Sequence, residues 1–559
     1  MRKKTDIKIS LTERPLQIFL IAALFMLGLY YEYLSCAASI FLAGYLAYAW
    51  KRQGKLNIPK SITLLTVTVV TLAMAVTAIW AVDKGVAVLG FVRFLPLLLF
   101  SLCAAQLSAE QRQNLLKPLP LAAAVLTVLA FALGLIPALK SFFFVNSRLA
   151  GFFEYPNVFA LFLLLSFILV VSEKEQNIRA IAISVILLVG IFLTGSRTAF
   201  AILLVVVVWL GIAAKDKRKR AVLFGATAAI IAATGVYVVC TGNVSGIGRY
   251  FTTSLTSSTF LGRLLYFKDA LPVILSHPFG LGYMGYHCLQ GSFQTGVYSV
   301  VNIHNELLQL LLDVGWIPAA IAVFAVIRYF VRGLTTTRIF LFAAVAHCMM
   351  DFDLQYPAIC MLLITVMMQT EELKTLKEVK KAVPFTVAAI ACICVYFGVV
   401  TGFYYAGNYK TTVKLYPGFT NAWEQLLTQT NDAETMDEIA DNILSHNSAN
   451  ALANSAKARV AYSRGDFGKV IEYKERAIAN ARYSMDEYMD YASMLQVGLQ
   501  LYTQNGDAKS AQICREKLLG ISDMLKEVEN STSPLAWKLD EKPELTPPQE
   551  FTEFINRIS

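Results

Sequence analysis

Gly195-Ser196-Arg197-Thr198 opens the apolar run 198–214, TAFAILLVVVVWLGIAA, which ends at Lys215-Asp216-Lys217-Arg218-Lys219-Arg220. An apolar stretch of about 17–25 residues can cross a bilayer as a helix. Here one end carries a basic cluster and the other a single arginine. Basic clusters are retained on the cytoplasmic side, so this run has a direction as well as a length. The rest of the chain has the same character. Of its 559 residues 56% are hydrophobic and 16% charged, with a mean hydropathy of +0.54. Soluble domains are nearer about 25% charged. The composition therefore predicts an all-α, polytopic membrane protein.

About thirteen segments meet the length and composition of a span. They fall near 15–31, 33–50, 61–80, 85–105, 118–138, 156–172, 179–194, 198–214, 221–240, 314–331, 336–350, 355–370 and 383–403. With the N-terminus inside, the inner loops are 51–60, 105–117, 172–179, 215–220, 332–338 and 371–381. These hold most of the basic clusters, as the positive-inside rule requires. Met1–Lys4 is basic, but the first apolar run leads into further spans and reads as an uncleaved first helix. This topology predicts a membrane domain over 1–403, with a large outer loop at 241–313, and an outer soluble domain over 404–559. The net charge of +10 is spent on orientation and does not point to nucleic acid. Most of the nine cysteines lie in apolar segments, where they pack as small side chains. No Cys/His spacing of a metal site or disulfide framework occurs.

The tail 404–559 is polar and patterned as helical hairpins. Residues 456–464 and 470–479 flank Gly465-Asp466, and 488–504 and 508–519 flank Gly506-Asp507. The two turns are 41 residues apart, longer than the about 34 of a tetratricopeptide repeat. A tetratricopeptide-like domain or a small helical bundle both fit, and its expected use is protein contact. The stretch 541–549, with Pro543, Pro547 and Pro548, reads as a loop.

Arginines on the outer side oppose the preferred orientation. Arg148, Arg197, Arg249 and Arg263, with Lys268, all map there, and Arg93 maps inside the fourth span. One such arginine is ordinarily explained by snorkelling or by pairing with an acid such as Glu154. Several on one face suit an anionic lipid headgroup, because guanidinium binds phosphate bidentately and stays charged. Gly195-Ser196-Arg197-Thr198 sits at an outer turn where small residues permit close backbone approach. Gly262-Arg263 begins an amphipathic run that ends at His277-Pro278-Phe279-Gly280-Leu281-Gly282, an interfacial helix closed by a turn.

Of five histidines, His277, His287 and His446 read as packed or surface side chains. His347, one turn before Asp351 and near Asp353, reads equally as structural or functional. His304, in Val301-Asn302-Ile303-His304-Asn305-Glu306, precedes an apolar helix. With Asn302 as N-cap, His304 would occupy the first turn, where the helix dipole favours a neutral, proton-accepting ring. Glu306 would orient that base or offset the dipole, and Asp313 follows.

Together these runs resemble the O-antigen ligase superfamily of O-antigen ligases, O-antigen polymerases and bacterial protein O-oligosaccharyltransferases. The likeness is carried by Ser147-Arg148-Leu149-Ala150-Gly151-Phe152-Phe153 with Pro156-Asn157, by Gly195-Ser196-Arg197-Thr198, by Gly262-Arg263 through His277-Pro278-Phe279-Gly280-Leu281-Gly282, and by His304-Asn305 with Asp313-Val314-Gly315. His347 and Asp351 fit its later spans. It covers roughly 15–370 in order; Asp313 stands where the family more often has Glu, and the tail is an added module. The resemblance implies a glycosyltransferase of the bacterial cytoplasmic membrane that takes a glycan from an undecaprenyl diphosphate carrier without metal or cofactor. By motif, His304 would be the base. Arg197 and Arg263, with Arg148 more weakly, would hold the diphosphate. Asn305, Glu306, His347 and Asp351 would support them.

The acceptor is left open among glycan, lipid and protein. An outer helical tail favours a ligase or oligosaccharyltransferase over a polymerase. A transporter is the rival class; against it stand the lack of an internal repeat and the scarcity of charges at midplane, where Arg93 is the clear case. A non-catalytic scaffold would leave the outer arginines and His304 without a role.

Overall fold

The computed structural model describes residues 11–173, 177–214 and 257–558, together with 216, 217, 220, 221, 223–225, 227–229, 231, 232 and 235. Residues 1–10, residues 241–256 of the predicted outer loop, Arg249 among them, and half of the 221–240 candidate span lie outside that set. The described chain is predominantly helical.

Among the described residues, four helical stretches are long and apolar enough to cross a membrane: Glu32–Gln53, Lys84–Ala104, Ala109–Gly134 and Val383–Tyr405. The third turns near residues 115–118 before continuing as Leu119–Gly134. Six more apolar helices of 10–17 residues are Arg14–Phe25, Ile62–Thr77, Pro156–Ser172, Ile178–Leu193, Arg197–Ala213 and Pro357–Gln369. Their starts follow local chemistry. Proline occupies the first turn in Arg14–Phe25, Pro156–Ser172, Pro357–Gln369 and Val383–Tyr405, where its missing N–H costs nothing. Side-chain oxygens of Ser61, Asp83, Asn177 and Ser196 accept from backbone amides at four other starts, as N-caps do.

Pro156–Ser172 is the centre of the bundle. It is apolar all round and buried along nearly its whole length, as expected for a helix with no solvent face. It packs on Ile178–Leu193, Thr335–Cys348, Leu119–Gly134 and Arg197–Ala213. Val383–Tyr405 is peripheral, lying against Glu32–Gln53. Arg93, the charge inside the fourth predicted span, is buried, and both its terminal nitrogens are hydrogen-bonded. It donates to Glu32 (3.1 Å), to Tyr283 Oη (2.7 Å) and to the Gln355 carbonyl (2.9 Å), and its guanidinium lies 4.3 Å from the Tyr30 ring centroid. It ties four segments together.

Two predicted inner loops are not plain loops. Leu56–Lys60 and Lys374–Val379 pair as an antiparallel ribbon, with Leu56 opposite Val379, Lys60 opposite Lys374 and an irregularity at Ile58/Pro59. Gln106 exchanges two hydrogen bonds with the Asn57 backbone (2.9 Å each), and Arg112 donates to the Glu371 carbonyl (3.2 Å). Residues 51–60, 105–112 and 371–379 thus meet at one end of the bundle.

In the tail, Ala451–Ser463 and Phe467–Ala479 form one hairpin and Met485–Gln504 and Ala508–Ser531 another. Gly465 and Gly506 take left-handed backbone (φ +72° and +73°), which glycine adopts without steric cost. Asp466 and Asp507 then cap the second helix of each pair. Residues 541–548 carry no regular structure, and a last helix covers Gln549–Ile558. The tail rests on the membrane domain: Tyr416 Oη donates to the Gly85 carbonyl (2.8 Å), and a Cβ at Gly291 would lie 1.9 Å from the Asn480 carbonyl oxygen.

Candidate functional site

A cavity of about 450 Å³ opens at the end of the bundle opposite the ribbon. Arg148, Arg197, Arg263 and His304 line it, with Tyr155, Asn157, Tyr266, Tyr298 and the tail residues Leu539, Asp540 and Glu541. Three segments far apart in the chain supply the arginines, and a fourth supplies His304.

Arg197 is the first residue of its helix, after Gly195 at φ +61° and the cap Ser196, whose Oγ accepts from Ala199 N (3.4 Å). Arg148 comes from a short hairpin strand, and its Nε donates to the Thr194 carbonyl (2.7 Å). Its other arm donates to Asn157. The hairpin and the Gly-Ser turn are therefore fastened by one of the arginines. Arg263 projects from the helix Ser258–Ser276.

His304 departs from expectation. The N-cap is Asn305, not Asn302: its Oδ1 accepts from Leu308 N (3.1 Å), and the helix runs Glu306–Val314. His304 stands outside the helix with φ +58°. That left-handed conformation costs a β-carbon residue roughly 1–2 kcal/mol. The first-turn dipole argument does not apply to it, because its ring is set by side chains instead.

The organiser is Asp351. Its carboxylate receives His304 Nδ1 (3.3 Å), Arg263 (3.2 Å), Tyr155 Oη (2.9 Å) and the Phe352 amide (3.1 Å), and Asn157 donates as well. It is fully buried. Burial alone would raise its pKa, but the His304 hydrogen bond and the Arg263 charge outweigh that and hold it well below the usual carboxylate range. A buried carboxylate is tolerated only when paired and hydrogen-bonded in this way.

Glu306 does not touch His304. Its carboxylate accepts from Leu354 N (2.7 Å) and Gln355 Nε2 (3.3 Å), while Asn305 Nδ2 donates to the Met349 carbonyl (3.1 Å). Both residues clamp the His304 turn to the segment carrying Asp351. Gln309 adds a relay: it accepts from Ile303 N (3.0 Å) and donates to Asp313 (2.9 Å). His347 is buried against Asp353 (2.7 Å) and not against Asp351. His277, His287 and His446 bond to local backbone carbonyls away from the cavity.

The Gly-Leu-Gly turn fixes the end of the helix Ser258–Ser276. Leu281 N donates to the Leu312 carbonyl (2.6 Å) and Trp316 N to the Pro278 carbonyl (2.9 Å). Gly280 and Gly315 have φ +80° and +81°, and a Cβ on either would strike backbone of the other segment at 2.8 Å and 2.4 Å.

Residues 182–323 match the O-antigen ligase family model. No curated protein matches the chain. The O-antigen ligase match includes Arg197, Arg263, the turn at 277–282 and His304. Arg148, Asp351 and the tail residues of the cavity lie beyond it. The sequence marks Asn157 only as part of the Pro156-Asn157 run and Asp351 only as a supporting residue, whereas the two are hydrogen-bonded to each other beside His304. Leu539, Asp540 and Glu541 gave no signal, since no spacing connects them to the motifs.

Proposed function

We propose that the chain is a membrane glycosyltransferase that moves a glycan from a polyprenyl diphosphate carrier to an acceptor hydroxyl at the outer face. The O-antigen ligase match supports membrane glycan transfer. The observation that carries the finer reading is the single cavity that gathers three arginines beside a His–Asp pair. Asp351 accepts from Nδ1–H of His304, which leaves Nε2 as the proton acceptor. Nε2 takes the acceptor's proton, the oxygen attacks the anomeric carbon, and the bond to the diphosphate oxygen breaks. Arg197 and Arg263, with Arg148 behind the turn, hold the departing diphosphate. Fixed positive charge of this kind stabilises a developing anion.

The reading places the ribbon end in the cytoplasm and the cavity and tail outside, in a bacterial cytoplasmic membrane, with the short apolar helices, Trp316–Arg332, Thr335–Cys348 and the 221–240 run completing about thirteen spans. The acceptor is a lipid, protein or wall hydroxyl rather than a second carrier-linked repeat, and the tetratricopeptide-like tail recruits it. His304→Ala tests the chemistry: turnover in a purified transfer assay falls about 10²–10⁴-fold, and near-full turnover refutes the assignment. In cells the same variant accumulates long glycan on the carrier if the chain is a ligase. Single repeat units would indicate a polymerase.

A further inference from the structure

The tail does more than rest on the membrane domain. After the helix Ala508–Ser531 the chain turns back across the helix Ser258–Ser276. Ser533 N donates to the Thr295 carbonyl (2.8 Å), Lys268 Nζ to Ser533 Oγ (3.1 Å) and Asp540 N to Ser258 Oγ (3.0 Å). Between these anchors Ala536 and Leu539 are buried against Leu261, Leu265 and Tyr298. The receiving surface is itself braced. Asp269 accepts from Thr295 N (2.8 Å), Thr295 Oγ1 (2.7 Å) and Tyr298 Oη (3.0 Å). Lys268, an outward cation that the positive-inside rule left unexplained, is thus a tail anchor. Leu539, Asp540 and Glu541 then face the cavity of Arg197, Arg263 and His304.

We propose that the strap 533–541 is a wall of the transfer site, closing it on the acceptor side, so that the site is complete only with the tail docked. This rests on the transferase reading above. Charge assigns the side. A diphosphate is repelled by Asp540 and Glu541 and attracted by the arginines, so it settles away from the strap. The space beside the strap is left for the neutral acceptor hydroxyl. The buried plug of Ala536 and Leu539 sets the distance between that wall and His304, as positioning for in-line attack requires.

The test uses the full chain in detergent with inorganic diphosphate as probe. Asp540→Asn with Glu541→Gln binds diphosphate about three- to tenfold more tightly at low salt, and the difference shrinks as salt screens the carboxylates. Unchanged affinity at every salt concentration overturns the proposal. Ala536→Asp unseats the strap, and the two readouts then move oppositely: diphosphate binds more tightly while transfer to acceptor slows by about 10². General damage weakens both, and a strap outside the site changes neither. Hydrogen exchange gives a reading that needs no ligand: amides of 533–541 are protected in the wild type, and an unprotected strap sinks the idea. A wild type that binds diphosphate but transfers nothing removes the transferase reading alone, since the binding shift still judges the strap.

Discussion

Asp351 carries five interactions and has no exposure, so its loss is felt in both stability and chemistry. Removing one partner of a buried ion pair costs about 3–5 kcal/mol, and Asp351→Ala is predicted to lower thermal stability by that order in a detergent melt. The pH dependence has a definite sign. Its folded pKa is depressed, so its stabilisation is present above the ordinary carboxylate pKa and is lost as pH falls through the folded value. The wild type therefore loses stability on acidification, and Asp351→Asn shows a flatter acid limb in melts taken across that range. His304 offers a second test. At φ +58° its backbone suits glycine, so His304→Gly is predicted to be more stable than His304→Ala by about 1 kcal/mol in a melt, with both equally slow in transfer. Equal melting would show that the turn relaxes when the ring is gone.

At the scale of elements, the base is held by two short segments fastened to each other. The turn before Glu306–Val314 is tied to 349–355 by Asn305 and Glu306 and braced from below by Gln309 and Asp313. Gln309→Leu keeps the volume and breaks the relay. It is predicted to reduce kcat more than donor KM, because it misplaces His304 without touching the arginines. A change confined to KM would show that the relay serves binding instead. The Gly-Leu-Gly turn is the other brace. Gly280→Ala forces a β-carbon to 2.8 Å from Asp313 and Gly315 backbone in a left-handed conformation. It is predicted to destabilise the chain by more than 1 kcal/mol, roughly the left-handed penalty alone, in the same melt.

For the whole molecule, sidedness is open to direct test. Leu56–Lys60 and Lys374–Val379 are hydrogen-bonded to one another, so they lie on one side of any membrane the bundle crosses. Single cysteines at Lys55 and Lys380 are predicted to react with an impermeant maleimide only after the cell is opened, and cysteines on the tail surface before it. The reverse pattern would invert the topology and place the cavity in the cytoplasm.

The apolar runs, the basic clusters and the Gly-Asp turns were legible because each is a local signal. Length and polarity mark a helix that avoids water, charge marks its ends, and a glycine followed by an N-cap marks a hairpin. Arg148, Arg197, Arg263 and His304 could be singled out because they break those local rules. What the linear chain could not supply was which group faces which. The sequence pattern puts His304 in the first turn of a helix, with Glu306 orienting it or offsetting the dipole. Folding puts it one residue before the N-cap and opposite Asp351, 47 residues on, since Asn305 caps the helix and the buried carboxylate gathers hydrogen-bond donors from distant segments. The ribbon between 56–60 and 374–379 and the strap at 533–541 were equally hidden. Each is made by pairing across hundreds of residues, where contact depends on how helices pack and leaves no periodicity behind.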